Sequence, residues 1–310
     1  MKVLVTGGSG MVGSCIKDEC QKYEEDTYIF LSSKDGDLTK REDTEAIFEK
    51  HRPDYVIHLA ANVGGLYKNM KYRVEMLHDN LLMNEYVLEM CNKYDVNNGL
   101  FCLSTCIFPH DPTKFPMTEE MMNDSAPHPS NAGYAFAKRL LEVQCSNYNE
   151  QFGRKYVCIT PVNLYGPYDN FNLEDSHVIP GIIHRMHLAK AKDNNFVMYG
   201  SGKPLRQFLY TPDLAKIILR FIYDYKSEYT NIICCDQETT IKSITEKIHH
   251  YMDMKGEIVS DTSKSDGCMR KTVSNERFHT VFPDFKYTSI DEGLEKTIKW
   301  FNENYKTCRK

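Results

Sequence analysis

No apolar run in this 310-residue chain approaches the ~18 residues that a membrane-spanning helix needs. A basic excess is missing too: 38 Lys and Arg stand against 43 Asp and Glu, a formal net charge of −5. Nucleic acids and anionic membranes require a basic surface, so neither is an expected partner. Any ligand that carries phosphates must therefore meet positive groups that are local. The chain has no CxxC pair and no histidine cluster with zinc spacing, and no metal is expected. Repeats and low-complexity segments are absent. No leader is expected, since "MKVLVTGGSG" runs directly into a strand pattern. The eleven cysteines are accordingly expected to be reduced thiols of a cytoplasmic protein, not a disulfide framework, and the sequon at Asn123–Asp124–Ser125 has no relevance there.

What is present has the composition of a soluble globular protein, 41% hydrophobic and 26% charged. The first half alternates short apolar runs with amphipathic stretches. "KVLVTG" (2–7), "YIFLSS" (28–33), "YVIHLAA" (55–61), "GLFCLST" (99–105) and "KYVCITPVN" (155–163) read as strands buried on both faces, with helical patterns at 80–93 and 134–151. Unbroken apolar strands alternating with helices imply an α/β fold with a doubly wound parallel sheet of Rossmann type. Residues 1–166 form the expected dinucleotide-binding domain. Residues 167–310 read mostly as a smaller α/β substrate lobe, with some elements of about 205–236 returning to the sheet. Ligands of such sheets bind beyond the carboxyl ends of the strands, which puts the segments after each apolar run along one rim.

"VTGGSGMVGSCI" satisfies GxGxxG through Gly8, Gly10 and Gly13, with a further glycine at position 7. Following a strand and opening a helix, it has the context in which backbone N–H groups meet a pyrophosphate. Ser9, Met11 and Val12 belong to the same expected cradle, and the rim adds Ala60, Ala61, Leu103, Pro161, Asn163 and Leu164. Where an NAD site places a carboxylate for the ribose 2′-OH, this chain has Ser32–Ser33–Lys34. Two hydroxyls and an ammonium suit a 2′-phosphate, so NADP(H) is expected, with Ser33 and Lys34 as its contacts. Asp35 and Asp37 follow closely and leave NAD open.

Tyr134 and Lys138 lie four apart in "GYAFAKRLLE", hence on one helix face. A carbonyl receiving hydride needs a proton donor, and an ordinary phenol, with its pKa near ~10, is a poor one. A neighbouring ammonium eases its ionisation, while Ser104 at the tip of a strand can hydrogen-bond the substrate oxygen. Glycine loop, "HLAA" (58–61), Ser104, Tyr134 and Lys138 together resemble the extended short-chain dehydrogenase/reductase superfamily, which works largely on nucleotide-activated sugars. "VNLYGP" (162–167) and "RQFLYTPDLA" (206–215) extend the resemblance over nearly the whole chain.

Dehydratases of that superfamily carry Thr–Asp–Glu where this chain has Ser104–Thr105–Cys106. Ser–x–Cys instead resembles the branch of epimerase-reductases acting on GDP-4-keto-6-deoxymannose, as do "HLAANVGG" (58–65), "DNLLMNEYVL" (79–88), "DSHVIPGIIHR" (175–185), "YGSGKPLRQFL" (199–209) and "SDGCMRK" (265–271). Another nucleotide-sugar 4-epimerase or 4-reductase is the alternative. Residues two apart in an extended segment share a side, so Ser104 and Cys106 are expected to face one substrate. The resemblance implies Cys106 as the base at C3 and C5 and His177 as the acid on the opposite ring face and a cofactor neighbour. It implies Arg185, Tyr199, Arg206, Asp266 and Lys271 as contacts of the GDP-sugar, and a homodimer formed through two helices of the cofactor domain. Tyr199 stands where the superfamily branch often has tryptophan.

Overall fold

The computed structural model describes residues 1–310, the side chains of Leu66 and Tyr67 excepted. Strands β1 (Lys2–Thr6), β2 (Thr27–Phe30), β3 (Tyr55–His58), β4 (Asn98–Cys102) and β5 (Lys155–Pro161) come from the five apolar runs. β6 (Asn163–Tyr165), β7 (Phe196–Tyr199) and β8 (Leu205–Tyr210) precede β9 (Asn231–Cys234). Six of these build one all-parallel sheet in the order β2-β1-β3-β4-β5-β9. Val3, Leu4, Val5, Val56, Ile57 and Leu100 are fully buried in it, which is why the runs are apolar without alternation.

The expected strands overshoot at their carboxyl ends, by three residues in three of the five cases. There the backbone leaves the sheet to form the rim, and Leu31 and Leu59 keep only a last bond each to Val5 and Thr6. The helices α1 (Met11–Glu19), α2 (Arg41–His51), α3 (Leu66–Lys71), α4 (Arg73–Lys93) and α5 (Ala132–Phe152) fall within the cofactor half. α6 (Val178–Lys190) and α7 (Thr211–Tyr223) come next, and α7 packs against α1. Leu214, Ile217, Ile218 and Phe221 are buried on one face of α7, each contributing about 2 kcal/mol by leaving water.

Of residues 205–236, β9 and α7 thus join the large unit. β8 does not: it pairs antiparallel with β10 (Glu238–Thr240) and parallel with β6 in a separate three-stranded sheet. α8 (Ile241–Tyr251), β11 (Ile258–Asp261), α9 (Glu276–Val281) and α10 (Ile290–Asn304) complete the chain, with β11 parallel to β7. A second apolar cluster, with Phe171, Ile183, Phe208, Ile244, Leu294 and Phe301 among its members, underlies this lobe. No helix is long and apolar enough to cross a membrane.

Candidate active site

The glycine loop is compressed against its neighbours. Gly7 adopts φ +66°, and a Cβ there would lie 2.8 Å from the Ala60 nitrogen. At Gly13 a Cβ would sit 2.5 Å from the Gly8 carbonyl oxygen. The start of α1 therefore approaches as closely as only glycine allows. In front of it opens a cleft of about 980 Å³ lined by Gly7, Ser9, Gly10, Met11, Val12 and Gly13. One end reaches Ser32, Ser33 and Asp37. The other holds Leu103, Ser104, Tyr134, Lys138, Pro161, Asn163, Leu164 and His177, with Ala60 and Ala61 between.

An extended dinucleotide fits this cleft, with its pyrophosphate at the N-terminus of α1. Gly8 and Lys34 are the two expected cofactor contacts that do not line it. Gly8 serves packing, since a Cβ there would meet Phe30 Cβ at 2.7 Å. Lys34 gives its amide to the Ser32 hydroxyl (3.3 Å) and stands outside the wall. Asp35 is exposed and folds back on Ser32, its carboxylate accepting from the Ser32 N–H (2.8 Å) and hydroxyl (2.9 Å). Asp37 lines the cleft, ionised below the usual range by the Thr39 hydroxyl and amide.

Tyr134 and Lys138 occupy α5, and a buried polar chain sets where that helix lies. The Asn84 amide nitrogen donates to the Ala137 carbonyl (3.3 Å), so its oxygen accepts from His58 Nε2 (3.1 Å). Nδ1 of His58 then accepts from the Thr6 hydroxyl (2.8 Å). Burial holds His58 down at about 3, neutral as this chain of bonds requires. "HLAA" is thus the joint between β1, β3, α4 and α5. Lys138 Nζ donates to the Cys102 carbonyl (2.7 Å) and stands 5.9 Å from the Tyr134 ring centroid. Burial pushes the Tyr134 phenol well up and the Lys138 ammonium down. The causes acting on the phenol are burial first and then the neighbouring Cys106 and Cys102, all of which push Tyr134 up.

The geometry expected around Cys106 also changes. β4 stops at Cys102, and residues 105–107 form a 3₁₀ turn with Ser104 as its N-cap, the Ser104 hydroxyl accepting from the Cys106 N–H at 3.4 Å. Strand alternation does not apply there. Thr105, not Cys106, lines the cofactor cleft. Cys106 is buried, 6% exposed. Burial pushes its thiol up, while Lys271, the Ser104 hydroxyl and Lys138 pull it down. His177 caps the start of α6 and is accessible from the cleft, yet its walls desolvate the ring and lower it, with Asp175 opposing.

The expected substrate contacts divide. Arg206 and His177 line one small pocket beside the main cleft, together with Asn163 and Phe208. Lys271 stands by Cys106 and Arg206, whose charges act on it. Arg185 lies farther out, its guanidinium 4.2 Å over the Tyr199 ring and donating to the Val197 carbonyl (3.0 Å). Asp266 is engaged with Ser201, accepting from its N–H and hydroxyl at 2.7 Å each. Sequence reasoning missed Asn62, Asp79, Asp169, Asn170, Asp175 and Arg309, all of which line the cleft. The Asn/Asp-rich character of 167–176 was the only signal for Asp169, Asn170 and Asp175. Nothing local marks Arg309.

Known proteins share this arrangement. The family described as NAD dependent epimerase/dehydratase family matches residues 3–233. A GDP-L-fucose synthase of Dictyostelium discoideum is 44% identical over 312 residues, spanning 99% of this chain and 97% of that protein. The crystal structure of a GDP-L-fucose synthetase from Naegleria fowleri bound to NADP has a TM-score of 0.94 at 42% identity, covering 100% of this chain and 95% of the other.

Proposed function

The chain belongs to the NAD dependent epimerase/dehydratase family, and from that premise we propose that it converts GDP-4-keto-6-deoxy-D-mannose to GDP-L-fucose with NADPH. C3 and C5 are epimerised first and the C4 ketone is then reduced. The observation that carries this reading is the full-length likeness to GDP-L-fucose synthases, joined to a cleft whose one end holds Ser104, Tyr134, Lys138 and His177 with Cys106 behind them.

The C4 ketone acidifies C3–H and C5–H. Cys106 takes the proton; burial pushes its thiol up, and the charges of Lys271 and Lys138 oppose that burial. His177 returns a proton from the opposite face of the ring, so each carbon inverts. NADPH, when bound, supplies the hydride for C4. Tyr134, whose phenol keeps its proton at neutral pH, gives that proton to the C4 oxygen. Ser104 orients that oxygen, and Lys138 offsets the phenolate that Tyr134 leaves behind. Arg206 and Lys271 supply the positive charge that an acidic protein must concentrate locally for a GDP pyrophosphate.

Eleven unpaired cysteines support a reducing, cytoplasmic setting. A homodimer is supported by apolar side chains exposed on α4 and α5, namely Val74, Phe136, Leu140 and Val143. Leu140→Glu should then sediment as a monomer, and an unchanged sedimentation coefficient would remove this pairing. The reading as a whole is tested by incubating the protein with GDP-4-keto-6-deoxymannose and NADPH and identifying the sugar. GDP-L-fucose is expected. A 4-reduced sugar of unchanged C3 and C5 configuration would mean a plain 4-reductase.

A further inference from the structure

The segment between β6 and α6 runs across the cleft like a bridge. At one end the Tyr168 hydroxyl donates to Asp18 of α1 (3.1 Å). At the other, the Asp175 carbonyl oxygen would lie 3.1 Å from a Cβ on Gly65, in the loop that follows β3. The Phe171 N–H donates to the Arg309 carbonyl (2.8 Å), which ties the segment after α10 to the middle of the bridge. That segment is anchored beneath by Cys308 and Tyr305, both packed on the second apolar cluster. Arg309 consequently lines the same cleft as the glycine loop, although it is nearly 300 residues away in the chain.

Charge makes this placement notable. Among the described residues, the lysines and arginines lining the cleft are Lys68, Lys138 and Arg309. Lys68 donates to the Val63 carbonyl (2.9 Å) and Lys138 to the Cys102 carbonyl (2.7 Å). The arginine ion pairs among the described residues fall at positions 41, 154, 220, 270 and 277, not at 309. Beside Arg309 on the bridge is Asp169, only 3% exposed. Its Oδ1 accepts from the Asn170 N–H (2.7 Å), while its Oδ2 has no hydrogen-bond partner among the described residues. The charge of Arg309 acts on Asp169, and that of Asp169 reaches Cys15 on α1. The bridge thus stands over α1, bonded to Asp18 in its last turn, and shares one cleft with the glycine loop at its first turn, where the middle of a dinucleotide lies.

We propose that Arg309 is a cofactor-binding residue that meets the NADP(H) pyrophosphate from the side opposite the glycine loop. The proposal rests on the NADPH-dependent reading above. Backbone N–H groups of α1 meet the pyrophosphate on one side, and a guanidinium fork meets its oxygens on the other, as a planar donor set does well. The second lobe thereby contributes directly to cofactor affinity.

Equilibrium binding without substrate tests this, using NADPH, NADH, 2′-AMP and GDP on the wild-type chain, Arg309→Ala and Arg309→Lys. A charge-assisted bond implies that Arg309→Ala weakens NADPH about tenfold or more. NADH, which has the same pyrophosphate, should weaken by the same factor, while 2′-AMP and GDP bind unchanged. Arg309→Lys should recover part of the loss. Weakening of NADPH and 2′-AMP with NADH spared would move Arg309 to the 2′-phosphate, and weakening of GDP alone would move it to the substrate; either overturns the proposal. Equal affinities for NADPH in wild type and Arg309→Ala overturn it too, as does a loss shared by all four ligands, which would signal a damaged fold. Absence of NADPH binding by the wild-type chain would instead defeat the functional reading itself.

Discussion

Replacing Asp169 by asparagine should make this protein more stable, and more so as pH rises. Asp169 is 3% exposed, and burial lifts its carboxyl from the ordinary 3.8 to about 7, against smaller opposing effects from the Asn170 N–H and Arg309. A folded-state value above the unfolded one means that the native protein binds this proton more tightly. The penalty is absent below the unfolded value, grows as pH rises between the two, and is complete above about 7. A rise of that size corresponds to about 4 kcal/mol at most, at 1.36 kcal/mol per pKa unit. By the same linkage only about 2 kcal/mol of it is present at pH 5. Asparagine keeps an oxygen to accept from the Asn170 N–H, replaces the unpartnered Oδ2 by a donor, and removes the charge. The thermal midpoint of Asp169→Asn should exceed that of the wild type by several degrees at pH 8, and by clearly less at pH 5. Equal midpoints at pH 8, or a gain that shrinks as pH rises, would refute the reasoning and with it the picture of a buried, uncompensated carboxylate facing the cleft.

Three further outcomes follow from the site. Cys106→Ser should abolish epimerisation yet leave NADPH binding and some direct C4 reduction, measured by product sugar and by nicotinamide oxidation; wild-type epimerisation in this variant would remove the thiol from the base role. Lys271→Met withdraws the largest influence favouring the Cys106 thiolate, so alkylation of that cysteine, followed on its peptide by mass spectrometry, should need a higher pH. An unshifted profile would leave Lys271 to the GDP-sugar alone. Gly13→Ala puts a Cβ 2.5 Å from the Gly8 carbonyl oxygen; a destabilisation of about 1–3 kcal/mol and weakened NADPH binding are expected, and unchanged binding would show that the loop can give way.

What could be read from the chain alone was what depends on local spacing. Gly8, Gly10 and Gly13 are tied to one strand–helix turn, and Tyr134 and Lys138 to one helix turn, so order along the sequence settled their relation. Ser104 and Cys106 were legible as neighbours but not in their geometry. Ser104 caps a 3₁₀ turn that holds the Cys106 backbone, so strand pleat does not apply there. Asp35 and Asp37 left NAD open in the sequence; the Asp35 carboxylate bonds to Ser32. The strand ends overshot because apolar content continues past the last ladder bond into the rim. Asp169 and Arg309 stayed hidden for a different reason. Their significance arises only when the segment after α10 is laid on the bridge between β6 and α6, a contact made through backbone groups that leave no mark in residue type.

The central claim is that protons move at C3 and C5 before hydride reaches C4. Running the reaction with GDP-4-keto-6-deoxymannose and NADPH in D2O, and locating deuterium in the product by NMR, tests it most directly. Deuterium at both C3 and C5 of a GDP-L-fucose product is predicted. A product reduced at C4 with protium retained at C3 and C5 would contradict it.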